Sequence, residues 1–216
     1  MYLRRVSSAV VAAALATTLL APAASAAPTS TAPTGTKSLA AVLTADGDTF
    51  DRNWYDYDIL TEAVLAVLAA KPDSPVKVLT DGSVPLTAFL PNDRAFQVLV
   101  ADLTKKWPTS EKATFTTLAG AVGIDAIESV LLYHVVPGAT IDSGAALKAD
   151  GAKLATALPG ASITVDVISA RFKLVVLRDN DKNDLNPLLN PRALDINKGN
   201  KQIAHGIVLV LRPIDL

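Results

Sequence analysis

Imidazole chemistry in this chain is confined to two residues, His134 and His205. A serine hydrolase needs a hydroxyl, a base within hydrogen-bond reach and a carboxylate that orients the base. Ser129 stands five positions before His134, off the i, i+3 and i, i+4 rows that bring helical side chains together. No Gly-x-Ser-x-Gly elbow presents a nucleophile. Neither histidine sits in a metal-ligand motif, and no Gly-rich phosphate cradle carries the necessary Lys and Ser or Thr. Cysteine is absent, which removes thiolate nucleophiles, thiolate metal sites and disulfides together. The expectation is a protein that is not an enzyme, with no catalytic residue, no cofactor and no metal.

Two further clusters offer binding chemistry. In Asp179-Asn180-Asp181-Lys182-Asn183-Asp184, alternating oxygens at Asp179, Asp181 and Asn183 can approach a calcium ion. In that register the sixth residue is Asp184 instead of Gly and the twelfth is Asn190 instead of Glu. A solvated loop between strands accounts for the same residues and is the favoured reading. The aromatic group Trp54, Tyr55 and Tyr57 offers faces for sugar stacking, but packing over the core is the commoner role for such rings. Trp54 and Tyr55 stand as a tentative ligand surface.

The elements that must position these residues change character along the chain. Asp58 is placed to cap a helix carrying Ile59, Leu60, Ala63, Val64, Val67 and Leu68 on one face, ending before Pro72. A short strand over 86–90 follows. Asn92 or Asp93 then caps a helix with Phe96, Leu99 and Leu103 inward, stopped by Pro108. Helical turns continue through Phe115, Leu118 and Val122, then through Ile124, Ile127, Val130 and Leu131. After Pro137-Gly138 the pattern becomes strand-like. Ile163, Val165 and Val167 alternate with polar residues, and Pro159-Gly160 allows 153–158 to pair with them as a hairpin. Strands are also expected over 172–177 and 207–211. This succession predicts a single α+β domain instead of repeated βαβ units.

The first 26 residues read as a secretory signal peptide. Arg4 and Arg5 precede an apolar stretch from Val10 to Leu20, and Ala24 and Ala26 stand before a cut. Residues 27–37, rich in Thr, Pro and Ala, read as a flexible linker, and the folded domain is expected over 38–216. Half the residues are hydrophobic, enough for a packed globule of about 190 residues without disulfides. With a net charge of −1, the chain lacks the concentrated basic surface that nucleic acid requires. No mature transmembrane segment is expected. The leader, the missing cysteines and the Ala-rich composition fit a bacterial source.

Three segments then bring a family into view. Leu86 to Phe96, reading Leu-Thr-Ala-Phe-Leu-Pro-Asn-Asp-Arg-Ala-Phe, resembles the first signature of fasciclin-type domains through Phe89, Pro91, Asn92 and Phe96. Val130 to Gly138, reading Val-Leu-Leu-Tyr-His-Val-Val-Pro-Gly, resembles the second, with Tyr133, His134, Pro137 and Gly138. Ile203 to Pro213 resembles the closing strand, with His205 after an apolar pair. The chain departs from the pattern at Leu90 to Asp93, in the polar insertion over 180–190, and at Ala204-His205-Gly206. The resemblance implies a β-wedge or sandwich with several packed helices. It also implies a secreted or surface-associated module for adhesion or matrix and protein binding. Its partner would be an unidentified extracellular protein or matrix component, with a glycan or cell-envelope component as the alternative ligand. His134 is expected to be structural, its ring bonded to a group within 87–92 and to the Asn92 side chain in particular.

Overall fold

Capping chemistry decides where the helices of this computed structural model begin. The structure describes residues 33–47 and 50–215; the expected leader over 1–26 and residues 27–32 of the linker lie outside the described residues. Helix α1 (Leu39–Leu43) starts at Ser38, whose Oγ accepts the Ala41 N–H at 3.2 Å. Helix α2 (Asp58–Ala70) buries Ile59, Ala63, Val64 and Val67 on one face. Its cap differs from the expected one. Asp58 lies within the first turn, and the Ile59 N–H donates instead to Asp93 Oδ1 at 2.9 Å. A carboxylate from a later helix therefore docks α2. Helix α3 (Asp93–Thr104) is capped by Asn92, which accepts the Ala95 N–H at 3.0 Å.

Helix α4 (Glu111–Tyr133) begins at Ser110 and is broken at Gly123, which takes a φ of 76°. Glycine reaches that left-handed region without the steric penalty of a Cβ. The two successive apolar patterns of the sequence meet at this break. By length and a mean hydropathy of 1.5, α4 could cross a membrane. Its break and the pairing of Asp125 and Glu128 with Lys71 are features of a helix packed on α2 in a folded core.

The six strands form two sheets. In the first, β1 (Leu86–Pro91) lies between β2 (Val135–Pro137) and β6 (Gln202–Ile207). It runs antiparallel to β2 and parallel to β6, with Leu86 opposite Gln202 and Pro91 opposite Ile207. The second sheet is an antiparallel meander of β3 (Lys153–Ala155), β4 (Ser162–Ser169) and β5 (Leu174–Arg178). Every residue of β1 and β6 is buried. Leu86, Ala88 and Leu90 face a core made with α2, α3 and α4. Phe89 turns the other way, into a second core between the sheets with Val136, Ile163, Val165, Val175, Leu177 and Ile207. The expected α+β architecture is present.

Three boundaries differ from the sequence reading. The closing strand is 202–207, not 207–211, because Gln202 to Ile207 hold the parallel ladder with β1 and the chain then leaves it. Strand β5 begins at Leu174, since Lys173 adopts a φ of 53° in the turn before it. The described end of the linker is fastened. Gly35 N–H donates to Gly199 O at 3.0 Å, and Gly35 O accepts the Lys201 N–H at 2.9 Å.

Gln202 completes that fastening from inside. Its Oε1 accepts the Leu39 N–H at 2.7 Å, and its Nε2 donates to Val78 O and Asp81 O at 2.8 Å each. One fully buried amide thus serves three backbone groups from two segments, none of which the sheets reach. Gln202→Leu is expected to cost roughly 1–3 kcal/mol for each group left without a partner. Urea unfolding should show a lower midpoint with an unchanged slope; an unchanged midpoint would refute the clamp.

Candidate functional site

Both histidines are committed to the backbone. His134 ends α4, where its Nδ1 lies 2.7 Å from Val130 O. The Leu211 N–H donates to its Nε2 at 3.0 Å, so Nε2 carries no proton and Nδ1 is the donor. The expected bond to Asn92 is absent because Asn92 caps α3. The 87–92 segment still meets His134 through the backbone, as Phe89 N–H donates to His134 O at 2.9 Å. Burial pushes the His134 imidazole down to about 4, only partly opposed by the Val130 carbonyl. His205 is wired in the opposite tautomer. Its Nδ1 accepts the Asp195 N–H at 3.2 Å, and its Nε2 donates to Ile141 O at 2.8 Å. Burial also holds the His205 imidazole below its ordinary value.

A serine, an aspartate and a histidine do meet, but without the wiring of a triad. Ser143 Oγ donates to the Asp195 carboxylate at 2.8 Å, and its N–H donates to the other oxygen at 2.7 Å. His205 touches the Asp195 backbone instead of the Ser143 hydroxyl. No proton path runs from hydroxyl to imidazole. Ser129 donates to Asp125 O at 2.9 Å, so it does not engage His134 either.

The acidic run over 179–184 is exposed at Asn180, Lys182 and Asn183, as a solvated loop would be, but its aspartates turn inward. It wraps around Arg212, whose side chain is almost wholly buried. Its guanidinium lies 2.9 Å from Asp184, 3.0 Å from Asp102 on α3, and 3.5 Å from the buried Asp181, the last without hydrogen-bond geometry. The Arg212 N–H donates to Asp179 Oδ2 at 2.8 Å. Burial raises the Asp179 carboxyl to about 6. An internal cation therefore occupies the place considered for calcium. The sequence carried one signal for it, an arginine immediately after the apolar run that ends at Leu211.

The residues of the three signatures serve the fold. Phe89 fills the inter-sheet core, Pro91 ends β1, and Phe96 packs in the helical core. Tyr133 is buried and donates to Ser162 O at 3.0 Å, tying α4 to β4. Pro137 ends β2, and Gly138 turns the chain with a φ of 80°.

Exposed apolar chemistry lies elsewhere. Tyr55 is 78% exposed, whereas Trp54 packs against the helical core. Arg94 joins this loop to a ring the sequence reading passed over. Its N–H donates to Trp54 O at 2.9 Å, and its guanidinium stacks 4.8 Å from the centre of Trp107. Trp107, half exposed, lines an open groove of about 300 Å³ with Val100, Thr104, Lys106, Pro108 and Thr117. A tryptophan placed between Lys106 and Pro108, where a helix must stop, was the available signal. A second patch caps the β4–β5 hairpin, where Ile168 is 60% and Phe172 66% exposed, beside Leu174. Arg171 lies over the Phe172 ring at 5.5 Å.

The Fasciclin domain family model matches residues 60–208. Among solved structures, the chain is similar to a FAS1 domain pair from the insect cell adhesion molecule fasciclin I, with a TM-score of 0.54 and 16% identity. The match covers 82% of this chain and 51% of that one, so the chain spans about half the length of that structure. At this identity the likeness shows the fold. No curated protein sequence matches the chain.

Two outcomes follow from the buried polar joints. The fold requires neutral His134, so its contribution is full above an unfolded value near 6.5 and is lost as pH falls towards about 4. Asp93, raised to about 8 chiefly by burial, acts with the opposite sign and loses stability as pH rises. The difference between the native chain and His134→Asn isolates the histidine. It should be roughly 1–3 kcal/mol at pH 7 and shrink by pH 4 in urea titrations; a pH-independent gap would refute the assignment. Arg212→Met should cost about 3–5 kcal/mol by leaving buried carboxylates uncompensated. Adding Asp181→Asn should restore part of that loss, and strictly additive effects would show that the two residues are not coupled.

Proposed function

The chain belongs to the fasciclin domain family, and from that premise we propose that it is an extracellular adhesion module binding a protein or matrix component through the tip of the β4–β5 hairpin. Fasciclin domains occur in extracellular or cell-surface proteins and act there as protein-binding modules. The structurally similar domain pair comes from a cell adhesion molecule. Export through the leader over 1–26, followed by a short linker, would deliver the domain to such a partner. The observation that carries the reading is the apolar tip formed by Ile168, Phe172 and Leu174. Clustered exposed apolar side chains are the usual mark of a protein contact, and aromatic residues and arginine are enriched at protein interfaces. The occupied histidines offer no base for turnover.

A second reading has its own support. Exposed Tyr55 and Trp107, with Thr104, Thr117 and Lys106 along the groove, offer stacking faces and polar groups suited to a carbohydrate.

Capture of extracellular material on the immobilised domain separates the two, with the captured fraction treated by protease or by glycosidase. Phe172→Ser should weaken capture by roughly 30-fold, the loss of one hot spot. It should change stability by no more than about 0.5 kcal/mol, and protease treatment should abolish binding. Undiminished capture by Phe172→Ser would sink the hairpin reading. A ligand removed by glycosidase and lost with Trp107→Ala would establish the carbohydrate reading instead.

A further inference from the structure

A second acidic cluster lies where the 51–58 loop meets the first turns of α2, α3 and α4. Asp58, Asp93 and Glu111 each stand in a first turn. The carboxylates form two triads that share Asp56: Asp51, Asp56 and Glu111 in one, and Asp56, Asp58 and Asp93 in the other. Within each triad one oxygen from each residue lies within 4.8 Å of the others. One carboxylate at a helix start is ordinary, because the N–H dipoles favour it. That accounts for the Asp93 oxygen that accepts from Ile59.

It does not account for Glu111. Only 1% of this residue is exposed, and neither carboxylate oxygen finds a hydrogen-bond partner. The cap of α4 is already supplied by Ser110, which accepts the Ala113 N–H at 3.2 Å. The backbone N–H of Asp51 favours the charged form of Glu111, but burial outweighs it and the neighbouring carboxylates add to the upward push. Among the described residues no lysine or arginine pairs with Glu111. A buried carboxylate in that condition must either hold a proton or meet a cation. The oxygens that share its space belong to Asp51, which is exposed, and to Asp56, which is half-buried.

We propose that Asp51, Asp56 and Glu111 bind a calcium ion. Oxygens held by one calcium at 2.3–2.6 Å lie within about 5 Å of each other, and this triad meets that limit. Donors that are all carboxylate select a hard cation over zinc or copper. Magnesium demands near-ideal octahedral geometry and keeps several waters, whereas calcium tolerates an irregular carboxylate set. Exposed Asp51 gives the ion entry and leaves room for water to complete its shell. The triad joins the 51–58 loop to the start of α4, so a bound ion would fix the loop that carries Trp54 and Tyr55. The Asp179 to Asp184 run plays no part, because Arg212 fills it. This inference does not rest on the adhesion reading.

Calcium chloride titrated into the chelator-treated chain, followed by calorimetry and thermal unfolding, tests the site. The native chain should bind one ion with a Kd of roughly 0.1–1 mM, the range of extracellular modules, and unfold at a higher temperature with calcium. Glu111→Gln should weaken binding by roughly 10–100-fold, yet raise the midpoint in chelator by removing an uncompensated charge. Asp51→Asn, at an exposed position, should fold normally and also weaken binding, and it decides the matter if Glu111→Gln does not fold. Absence of heat and of any midpoint change at several millimolar calcium would overturn the proposal, leaving a shared proton as the resolution. An equal calcium response in the native chain and both variants would also overturn it, by placing the ion elsewhere.

Discussion

The parallel pairing of β1 with β6 is the constraint on which the molecule depends. Leu86 to Pro91 lie in register with Gln202 to Ile207, so two segments from opposite ends of the domain must meet before either core can close. Parallel strands cannot be joined by a tight turn. Here everything from α3 to β5 serves as the connection. Because both strands are buried on both faces, their side chains alternate between the helical core and the inter-sheet core. A slip of one residue would exchange Phe89 with its neighbours and spoil both cores together.

That pairing leaves backbone groups stranded wherever the chain leaves the sheet, and buried polar side chains answer them. Gln202 holds the segment entering α1 and the turn near Asp81. His134 takes the Leu211 N–H just beyond β6, and His205 joins Ile141 to Asp195. Each has donors and acceptors at separate atoms, which lets one ring or amide bond two segments at once. Arg212 does the same with charge, drawing Asp102 of α3 and the 179–184 loop to one point. Apolar packing supplies attraction without direction; these side chains supply the direction.

Much of this was legible in sequence. Periodicity placed α2, α3 and α4 and the β3–β4 hairpin because local patterns report which face is buried, whereas the short α1 went unread. Gly123 even divided α4 where the two apolar patterns met. The errors share one cause, a partner distant in sequence. Asp58 reads as a cap, but Asp93 performs that role from the next helix. Asn92 reads as the partner of His134, but Leu211 holds it from 77 residues away. The 179–184 run is solvated at Asn180, Lys182 and Asn183, but nothing local reveals that its aspartates gather around Arg212. Trp107 was passed over because a ring at a helix stop gives no sign of whether it will be covered.

A division of labour follows between recognition of the family and recognition of a ligand. Tyr133, His134, Pro137, Gly138 and His205 carry the resemblance to fasciclin-type domains, and all are occupied in packing, turns or backbone bonds. A residue that already satisfies the fold has no valence left for a partner. The groups with unspent capacity lie on segments outside the closing registers. Tyr55 and Trp107 stand on loops, Phe172 on a hairpin turn, and Glu111 at a helix start as a buried carboxyl group with no lysine or arginine paired with it among the described residues. The two acidic clusters make the contrast directly. The one around Arg212 is closed by the chain's own cation and ties the fold together, whereas in the other Glu111 has no lysine or arginine paired with it among the described residues. The motifs therefore identify the scaffold, while contact with other molecules falls to positions that the scaffold leaves free to vary.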